Sequence, residues 1–351
     1  MTSFAKASFD VAAYLHCRPS YPQRVYSLIL AYHSAIRSSP QWGTLLDLGC
    51  GPGFVASELA PRFDQTIALD PSATMVSIGL QPVGNDEDGR KPIQYKVGKG
   101  ENLEAAGIQE NSVDLVVAGS SLGIIPLISE GHTLILMVGQ AAHWFDHTRV
   151  WPQLTRTVRP GGSVVYLGYA EMQFPGHPNV TSIFSNFSHS VIGKYWSQPG
   201  RSIVENLLDD VPWPTTTPVS ANIQQTIAKE GVAASQADHG GWDMSTAIRI
   251  RHSPEFPFLM EQSWSLAQLE GYLRTFSAVH EYFAANPEDK AKRIGKGQED
   301  GKGSPTGDVV ERVVWELGQE LEKAGVLKNG KGKIEVAWPL VLMMIKKKSA
   351  V

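Results

Sequence analysis

The stretch from Thr44 to Phe54, TLLDLGCGPGF, decides the fold of this 351-residue chain. The apolar run before the glycines predicts a buried β-strand, and the residues that follow, GFVASELAPRF, predict an amphipathic helix. Gly49, Gly51 and Gly53 lie between the two, where glycine allows a tight turn and lets backbone N–H groups approach a ligand. The stretch therefore predicts a strand, a glycine loop and a helix, with a ligand site at the loop.

Strand-like and helix-like segments alternate after this stretch as far as Tyr169. The runs TIALDPS, PIQYKVGKGENL, SVDLVVAG and GGSVVYLGYAE predict four further strands, because they are rich in apolar and β-branched residues. Strands that alternate with helices need crossover connections, and they form mostly parallel sheets with both faces covered. The fold class predicted by the sequence is α/β, with a doubly wound, mostly parallel sheet.

Charge and cysteine content exclude several classes of protein. The 31 basic and 35 acidic residues are spread along the chain and give a net charge of −4, so no basic surface for nucleic acid is predicted. Cys17 and Cys50 are too few for a disulfide framework or a thiolate metal site. The N-terminus lacks the apolar core of a signal peptide. We therefore expect a cytoplasmic protein, a monomer or weak dimer, without a metal and without a nucleic-acid or membrane partner.

Two aspartates accompany the glycine loop. Asp47 lies at the end of the preceding strand, and Asp70 closes the next strand, at about the spacing where a carboxylate accepts hydrogen bonds from ribose hydroxyls. The glycines follow a G-x-G-x-G register rather than the G-x-G-x-x-G register of dinucleotide sites. The combination predicts a nucleoside-binding site and argues against a nicotinamide-dependent oxidoreductase.

Several other segments occur in the order found in one enzyme family: AAYLHCRPSYP, GENL, QAAHWFD, RTVRPGGSVVYLGY and YLRTFSAVHEY. With LLDLGCGPG they resemble class I S-adenosylmethionine-dependent methyltransferases and, within that class, the trans-aconitate methyltransferases and their fungal relatives. The resemblance runs from about Phe9 to Lys346. It implies a seven-stranded Rossmann-like sheet and methyl transfer from S-adenosylmethionine to a small molecule. The methyl acceptor in this group is often a carboxylic acid, although relatives also methylate other oxygens and thiols.

The resemblance also implies the residues of the cofactor site. Asp47 would serve the methionine end of S-adenosylmethionine and Asp70 the ribose. Gly100 with Glu101 would flank the adenine, and Gln140–Trp144 would line the face shared by cofactor and methyl acceptor. The full cofactor set is Asp47, Gly49, Gly51, Gly53, Asp70, Gly100, Glu101, Gln140 and Trp144.

The order of the segments predicts five regions. They are an N-terminal substrate-side segment (1–40), a cofactor-binding core (41–171), an aromatic, proline-rich substrate lid (172–286), an exposed flexible loop (287–308), and the last helix and strand of the core (309–351). Within the lid, WDMSTAIRIRHS predicts a strand, and SLAQLEGYLRTFSAVHEYFAANP predicts one helix capped by Ser265. KIEVAWPLVLMMIKKK predicts a final strand that returns to the sheet.

Candidates for the methyl acceptor side follow from the chemistry of a carboxylate. It is ionised at neutral pH, so it needs orientation rather than a general base. Arg18 with Tyr21 is the first candidate, because an arginine can hold a carboxylate by two hydrogen bonds. The alternative is an arginine paired with a surface acid or with the lid. Tyr272 and Arg274 are the second candidates, with a core tyrosine and a solvated arginine as the alternative.

His143, which the resemblance places next to the cofactor, has two possible roles. As a general base it would serve a hydroxyl or thiol acceptor, such as that of a secondary metabolite, because its reference pKa lies near neutrality. Otherwise His143 and Trp144 would only pack against the cofactor. An RNA methyltransferase is disfavoured, because the charge is balanced and no basic aromatic stripe is present.

An apolar segment, Ser120–Gly139, interrupts the core at the end of the fourth strand. Without it the sequence reads VDLVVAGQAAHWFD, as in the family that the chain resembles. Pro126 and the polar run SEGH divide the segment, so neither half is long enough to span a membrane. We interpret it as a retained intron read in frame and absent from the working protein; the alternative is a hydrophobic lid at the ligand-binding edge of the sheet. If it blocks the site, the chain would be a catalytically inactive cofactor-binding protein.

Overall fold

The structure is a computed structural model that describes residues 21–35, 42–82, 91–119, 123–126, 135–138, 141–214, 240–294 and 303–349. Its strands are β1 (Thr44–Leu48), β2 (Gln65–Asp70), β3 (Gln94–Val97), β4 (Val113–Ala118), β5 (Gly123–Pro126), β6 (Ile135–Val138), β7 (Val158–Tyr169), β8 (Trp242–Arg251), β9 (Met260–Trp264), β10 (Ile334–Trp338) and β11 (Leu340–Lys347). Its α-helices are α1 (Gln23–Ser34), α2 (Phe54–Leu59), α3 (Ala73–Ile78), α4 (His147–Thr157), α5 (Pro178–Asn186), α6 (Gly200–Glu205), α7 (Leu266–Arg274), α8 (Ser277–Ala285), α9 (Pro287–Lys290) and α10 (Val309–Lys323). Short 3-10 helices are Ala60–Arg62, Gly100–Asn102, Ala141–Trp144 and Gly193–Tyr195.

Seven strands form the main sheet in the order β3-β2-β1-β4-β7-β11-β8. The first five are parallel to one another, and β11 lies antiparallel between β7 and β8. The strand order reverses between β1 and β4, at the switch point where doubly wound sheets bind ligands outside their carboxyl ends. The predicted α/β class, with a doubly wound, mostly parallel Rossmann-like sheet, is confirmed.

The side chains of β1 show how the sheet separates two apolar layers. Leu45 packs in one layer, and Leu46 and Leu48 pack in the other. Because side chains alternate along a strand, Asp47 faces the same side as Leu45. Helices α1, α2, α7 and α10 contribute to that layer, whereas α4 covers the opposite face. Asp47 therefore lies on the side of the sheet that α1 covers.

The direction of α1 brings its first turn to the ligand-binding edge. Tyr21, just before the helix, meets Tyr169 at the carboxyl end of β7, with ring centroids 6.0 Å apart. At the other end of the helix, His33 Nδ1 lies 3.0 Å from Ser163 Oγ, near the start of β7. The N-terminal turn of α1 is thus next to the carboxyl edge of the sheet.

Two region boundaries predicted from the sequence need correction. Trp242–Arg251, inside the predicted lid, is β8 and pairs with β11 at the edge of the main sheet. Residues 287–290, inside the predicted flexible loop, form α9. The reason is that Asp289 is buried and anchored: it accepts hydrogen bonds from Val309 N–H at 3.0 Å and from Arg312 Nη1 at 2.8 Å.

The predicted helix after Ser265 is two helices, α7 and α8. Ser265 does cap the first, with its side chain accepting from Gln268 N–H. The break occurs at Phe276, whose backbone is extended at φ −72° and ψ 132°. That conformation places its ring in the core, 5.0 Å from Tyr272 and 5.3 Å from Trp196 between centroids. Burial of the aromatic ring thus takes precedence over helical continuity.

The predicted final strand is also two strands, separated by Pro339. β10 pairs with β9 in a separate antiparallel sheet, whereas β11 enters the main sheet. Proline lacks a backbone N–H and cannot donate to a ladder, so the chain changes sheets there.

The two described parts of the apolar segment Ser120–Gly139 pair with each other. β5 and β6 are antiparallel, with Gly123 opposite Val138 and Pro126 opposite Ile135. The backbone of β5 contacts α3, the helix that follows Asp70. Within the ranges that the structure describes, no helix is both long enough and apolar enough to cross a membrane.

Candidate active site

The glycine loop has a backbone conformation that requires glycine. Gly49, Gly51 and Gly53 have φ values of 64°, 55° and 96°, in the region that other residues rarely adopt. Space is also restricted, since a Cβ atom on Gly53 would lie 1.9 Å from Tyr95 Oη. The Tyr95 hydroxyl is itself fixed, because it donates to the Leu80 carbonyl at 2.6 Å. The loop is therefore a rigid cradle of backbone groups at the switch point.

Asp70 ties the loop to the end of β2. Its side chain is fully buried, Oδ2 accepts from Gly51 N–H at 2.9 Å, and Oδ1 accepts from Ser72 N–H at 2.8 Å. Burial raises the pKa of Asp70 to about 6, although both hydrogen bonds act in the opposite direction. Each carboxylate oxygen can accept more than one hydrogen bond, so Asp70 keeps acceptor capacity beyond these two bonds. Its contact with the ribose stays a prediction.

Asp47 has one oxygen bonded and one without a partner. Oδ2 accepts from Ala56 N–H at 3.0 Å, whereas Oδ1 is buried and has no hydrogen-bond partner. Burial, together with the charge of Asp70, raises the pKa of Asp47 to about 7 despite the bond from Ala56. A buried carboxylate oxygen without a partner is costly, and a cationic group would satisfy it. The residues present thus fit a ligand with a nucleoside part and an ammonium group.

The predicted adenine residues lie on the opposite side of the sheet from α1. Gly100 is buried beside α4, and a Cβ atom there would lie 3.6 Å from Phe145 Cε1. Glu101 Oε1 accepts from Asp146 N–H at 3.1 Å, so it joins this turn to the segment before α4. Contact of Gly100 and Glu101 with adenine stays a prediction.

His143 and Trp144 lie together in the 3-10 helix Ala141–Trp144. Their ring centroids are 5.0 Å apart, and the His143 ring packs so closely on α6 that a Cβ atom on Gly200 would lie 2.5 Å from its Cδ2. Burial lowers the pKa of His143 to about 3, and its Nδ1 has no hydrogen-bond partner. A neutral imidazole of such low basicity is a poor general base, which favours the packing role. Gln140, the other predicted residue of this segment, lies outside the described residues.

Tyr21 and Tyr272 are joined through a series of aromatic contacts. Tyr21 meets Tyr169, Tyr169 meets Trp338 at 6.3 Å between centroids, and the Trp338 indole N–H donates to Tyr272 Oη at 3.0 Å. Tyr169 closes β7 at the carboxyl edge, so the structure brings both predicted tyrosines toward one region. Arg18 lies outside the described residues.

Arg274 is held by acids of its own chain and is not available to an acceptor carboxylate. Its Nη1 lies 2.8 Å from Asp308 Oδ2, and its Nε lies 2.7 Å from Glu270 Oε1. Asp308 is fully buried and also caps α10 by accepting from Val310 and Glu311 N–H. The prediction that Arg274 binds substrate is therefore wrong, and so is the solvated alternative, since the guanidinium joins α7 to α10.

Replacing Arg274 by methionine is expected to reduce stability without changing the use of the methyl acceptor. The substitution leaves Asp308 buried without its cation, which costs about 3 kcal/mol in the free energy of unfolding. Denaturant unfolding measures this loss, and methyl-transfer kinetics measure KM for the acceptor. A large rise in KM with unchanged stability would contradict the structural role.

A charged cluster that the sequence did not reveal lies beside α6. Arg201 Nη2 is 2.7 Å from Glu171 Oε1, and Arg201 Nε is 2.6 Å from Glu205 Oε1. His189 Nε2 lies 3.1 Å from the same Glu205 oxygen. One nitrogen or oxygen atom from each of Glu171, His189 and Glu205 lies within 4.8 Å of the other two, a spacing that could hold a metal ion. Because Arg201 already neutralises both carboxylates, we interpret the cluster as the contact that fixes α6 and Gly200 against His143. Apart from the four-residue spacing of Arg201 and Glu205, no pattern in the sequence indicates it.

Comparison with known proteins identifies the domain that carries this site. The family model for the methyltransferase domain matches residues 46–166, which include the glycine loop and both aspartates. Residues 46–166 are thus similar to a methyltransferase domain.

Two fungal relatives extend the similarity beyond that domain. A protein assigned as an S-adenosylmethionine-dependent methyltransferase in Saccharomyces cerevisiae is 28% identical over 207 residues, which cover 58% of this chain and 62% of that protein. A methyltransferase of Aspergillus candidus is 29% identical over 225 residues, which cover 60% of this chain and 62% of that protein. The chain therefore spans less than two thirds of the length of either relative.

One solved structure shares the fold over nearly the whole chain. It belongs to a protein assigned as a type II methyltransferase from Anaeromyxobacter dehalogenans, and the comparison gives a TM-score of 0.58 at 20% identity. It covers 95% of this chain and 99% of that one. This similarity confirms the Rossmann-like α/β fold and carries no conclusion about the substrate.

Proposed function

We propose that this chain is an S-adenosylmethionine-dependent methyltransferase that acts on a small molecule, with a carboxylic acid as the methyl acceptor. The observation that carries the proposal is the buried Asp47 Oδ1, which has no partner and lies beside a glycine loop tied to Asp70. A nucleoside bearing an ammonium group supplies the missing donor. The methyltransferase-domain match over residues 46–166 and the fungal relatives support the same cofactor.

S-adenosylmethionine, when bound, supplies a methyl group on a sulfonium for in-line displacement by the acceptor. The work of the protein is then alignment and exclusion of water. With the cofactor bound, Asp70 would accept from the ribose hydroxyls and Asp47 from the ammonium of the amino-acid end. The N–H groups of the glycine loop are bonded within the fold, so the contribution of the loop would be to let the ligand approach the backbone closely. By the family resemblance, His143 and Trp144 would pack against the bound cofactor.

The low pKa of His143, about 3, favours an acceptor that is already ionised. A hydroxyl or thiol acceptor must lose a proton, and efficient general bases have pKa values near the working pH. A carboxylate needs no such base and is oriented by hydrogen bonds instead. We therefore propose that Arg18 and Tyr21 face the acceptor, and that methylation of a hydroxyl or thiol of a secondary metabolite is the second possibility.

Affinity for the cofactor is expected to rise with pH between about pH 5 and about pH 8. The ammonium group requires ionised Asp47, whose pKa is about 7, so affinity should fall about tenfold per pH unit below that value. Titration of S-adenosylhomocysteine by calorimetry at several pH values measures this dependence. Asp47→Asn should bind weakly and lose the change centred near pH 7, while the dependence due to Asp70 near pH 6 stays. A profile with the same midpoint and slope as wild type in that variant would contradict the assignment.

Stability of the ligand-free protein is expected to have the opposite pH dependence. The pKa values of about 7 for Asp47 and about 6 for Asp70 lie above the ordinary value of 3.8. Between these values the folded protein binds protons that the unfolded chain has released. The contribution of these two carboxyls therefore decreases as pH rises from about 4 to about 7. Thermal unfolding without ligand, compared between wild type and Asp47→Asn, tests the sign.

A two-step experiment tests the proposed function. Calorimetry with S-adenosylmethionine on the full chain should show saturable one-site binding. Transfer of a labelled methyl group is then measured on separate panels of carboxylic acids, alcohols and thiols. Transfer to acids alone supports the proposal, and transfer to alcohols or thiols alone refutes the proposed acceptor class. Absence of binding both in the full chain and in a chain lacking residues 120–139 refutes the cofactor.

A cofactor-binding protein without catalytic activity is the second candidate. One observation favours it: the backbone of β5, inside the apolar segment, contacts α3 next to Asp70. A segment at this place covers the edge where the methyl acceptor must enter. Binding of S-adenosylmethionine without transfer to any of the three panels would support it.

A further inference from the structure

Tyr26 is a buried tyrosine of α1 to which no role has yet been assigned. It is 2% exposed, and its hydroxyl is buried without a hydrogen-bond partner. Its ring packs edge to face against Tyr21, with centroids 6.3 Å apart. Hydroxyls inside proteins are normally hydrogen-bonded, because an unpartnered buried donor destabilises the fold. The hydroxyl of Tyr26 is therefore expected to have a partner when the protein is at work.

Tyr26 lies on the same side of the sheet as Asp47. It packs in one apolar layer with Leu45, Val55 and Leu59, and Asp47 faces that layer from β1. The carboxylate of Asp47 accepts from Ala56 N–H, next to Val55 in α2. Burial raises the pKa of Tyr26, and the charge of Asp47 contributes to that rise. The two side chains thus lie on the same side of the sheet, close enough for the charge of Asp47 to act on the Tyr26 hydroxyl.

The two partnerless atoms have complementary chemistry. The Tyr26 hydroxyl can donate a proton, whereas Asp47 Oδ1 can only accept when ionised. An α-amino acid group presents a carboxylate that accepts and an ammonium that donates. The zwitterionic end of a cofactor would therefore satisfy both atoms at once.

We propose that Tyr26 is a cofactor-binding residue whose hydroxyl donates to the carboxylate of the amino-acid end of S-adenosylmethionine, while Asp47 Oδ1 accepts from its ammonium. The assignment rests on the proposed function and adds a residue to its site. Tyr26 precedes the glycine loop in the chain and lies outside the sequence segments that carry the family resemblance.

Tyr32, on the same helix, provides a matched control. Its hydroxyl donates to the Thr246 carbonyl at 2.8 Å, in the direction of the amino edge of the sheet. Tyr32→Phe removes the same single oxygen as Tyr26→Phe, but it breaks an existing bond far from the glycine loop. The two variants should therefore differ in both stability and affinity.

The experiment is calorimetric titration of the full chain with two probes. S-adenosylhomocysteine carries the amino-acid end, whereas 5′-methylthioadenosine lacks it. Tyr26→Phe should weaken S-adenosylhomocysteine binding about tenfold, as expected for one hydrogen bond to a charged group. Binding of 5′-methylthioadenosine should stay within about twofold of wild type, and Tyr32→Phe should leave both affinities unchanged.

Thermal unfolding without ligand gives a second readout. Tyr26→Phe should raise the melting temperature, because it removes a buried hydroxyl without a partner, whereas Tyr32→Phe should lower it. Unchanged S-adenosylhomocysteine affinity in Tyr26→Phe, or equal weakening of both probes, would overturn the assignment while the proposed function stands. If neither the full chain nor a chain lacking residues 120–139 binds either probe, the proposed function is refuted, and the assignment of Tyr26 with it.

Discussion

Replacing Asp70 by alanine is expected to weaken binding of S-adenosylmethionine by at least about 100-fold, because hydrogen bonds to a charged group contribute about 1.5–3 kcal/mol each. The fully buried carboxylate has two functions in this site. It fixes the glycine loop through Gly51 N–H at 2.9 Å, and it fixes the start of α3 through Ser72 N–H at 2.8 Å. In the proposed complex the same oxygens also accept from the ribose hydroxyls. Alanine removes both contributions, so calorimetry should show no saturable binding at micromolar cofactor.

Asp114 is a matched control for this experiment. It is also a buried aspartate, but it lies at the amino edge of the sheet, where it accepts from Thr44 N–H at 2.8 Å and pairs with Arg159 at 3.1 Å. Asp114→Ala should therefore reduce stability and leave cofactor affinity unchanged. Asp70→Asn should be intermediate, because the amide keeps one oxygen acceptor and turns a donor toward a backbone N–H. Binding of Asp70→Ala within about threefold of wild type would contradict the role of Asp70.

The local parts of the fold could be predicted from sequence because their causes are local. β1, the glycine loop and α2 are adjacent in the chain, and glycine residues with positive φ mark the turn directly. The strands that alternate with helices likewise predict parallel pairing through chirality and connection length. The order β3-β2-β1-β4-β7 follows from these rules once the switch point is placed at the loop.

The parts that could not be predicted depend on partners distant in the chain. The strand segment Trp242–Arg251 showed its secondary structure in its β-branched alternation, but its place in the main sheet depends on pairing with β11, about a hundred residues later. Arg274 likewise has the side chain expected of an anion-binding residue, and only the position of Asp308 shows that the charge is already neutralised. The residue type indicates which interactions a side chain can make, and the fold determines which partner it contacts.

The role of His143, the candidate general base, also depends on a part of the chain distant in sequence. From sequence, a histidine with a reference pKa near neutrality is predicted to accept a proton. In the fold its ring is enclosed between Trp144 and Gly200, and desolvation lowers its pKa to about 3. No pattern in the sequence gives that enclosure, because Gly200 lies on α6, outside the methyltransferase domain. The change of environment shifts the proposed acceptor toward a carboxylate.

We expect that deletion of residues 120–139, which joins Gly119 to Gln140, gives a folded protein that binds S-adenosylmethionine about tenfold more tightly. A gain of this size is expected if only about one molecule in ten of the full chain has an uncovered site, because apparent affinity is proportional to the population of the binding-competent state. The deletion restores VDLVVAGQAAHWFD at the end of β4. Before the segment, Gly119 is closely packed, since a Cβ atom there would lie 2.8 Å from Val55 Cγ2. After the segment, the 3-10 helix that contains His143 begins at Ala141. The structured parts on both sides of the segment thus do not need it.

Two further variants separate the reasons for such a gain. Replacing residues 120–139 by a Gly/Ser linker of equal length keeps the chain length and removes the apolar β5–β6 pair, so a gain in affinity there would be due to uncovering the site. A gain in the deletion alone would be due to the shorter connection between β4 and His143. Sequencing the transcript shows which form the cell makes. If the deletion variant unfolds or loses binding while the full chain turns over substrate, the segment is a working lid, and the retained-intron interpretation is wrong.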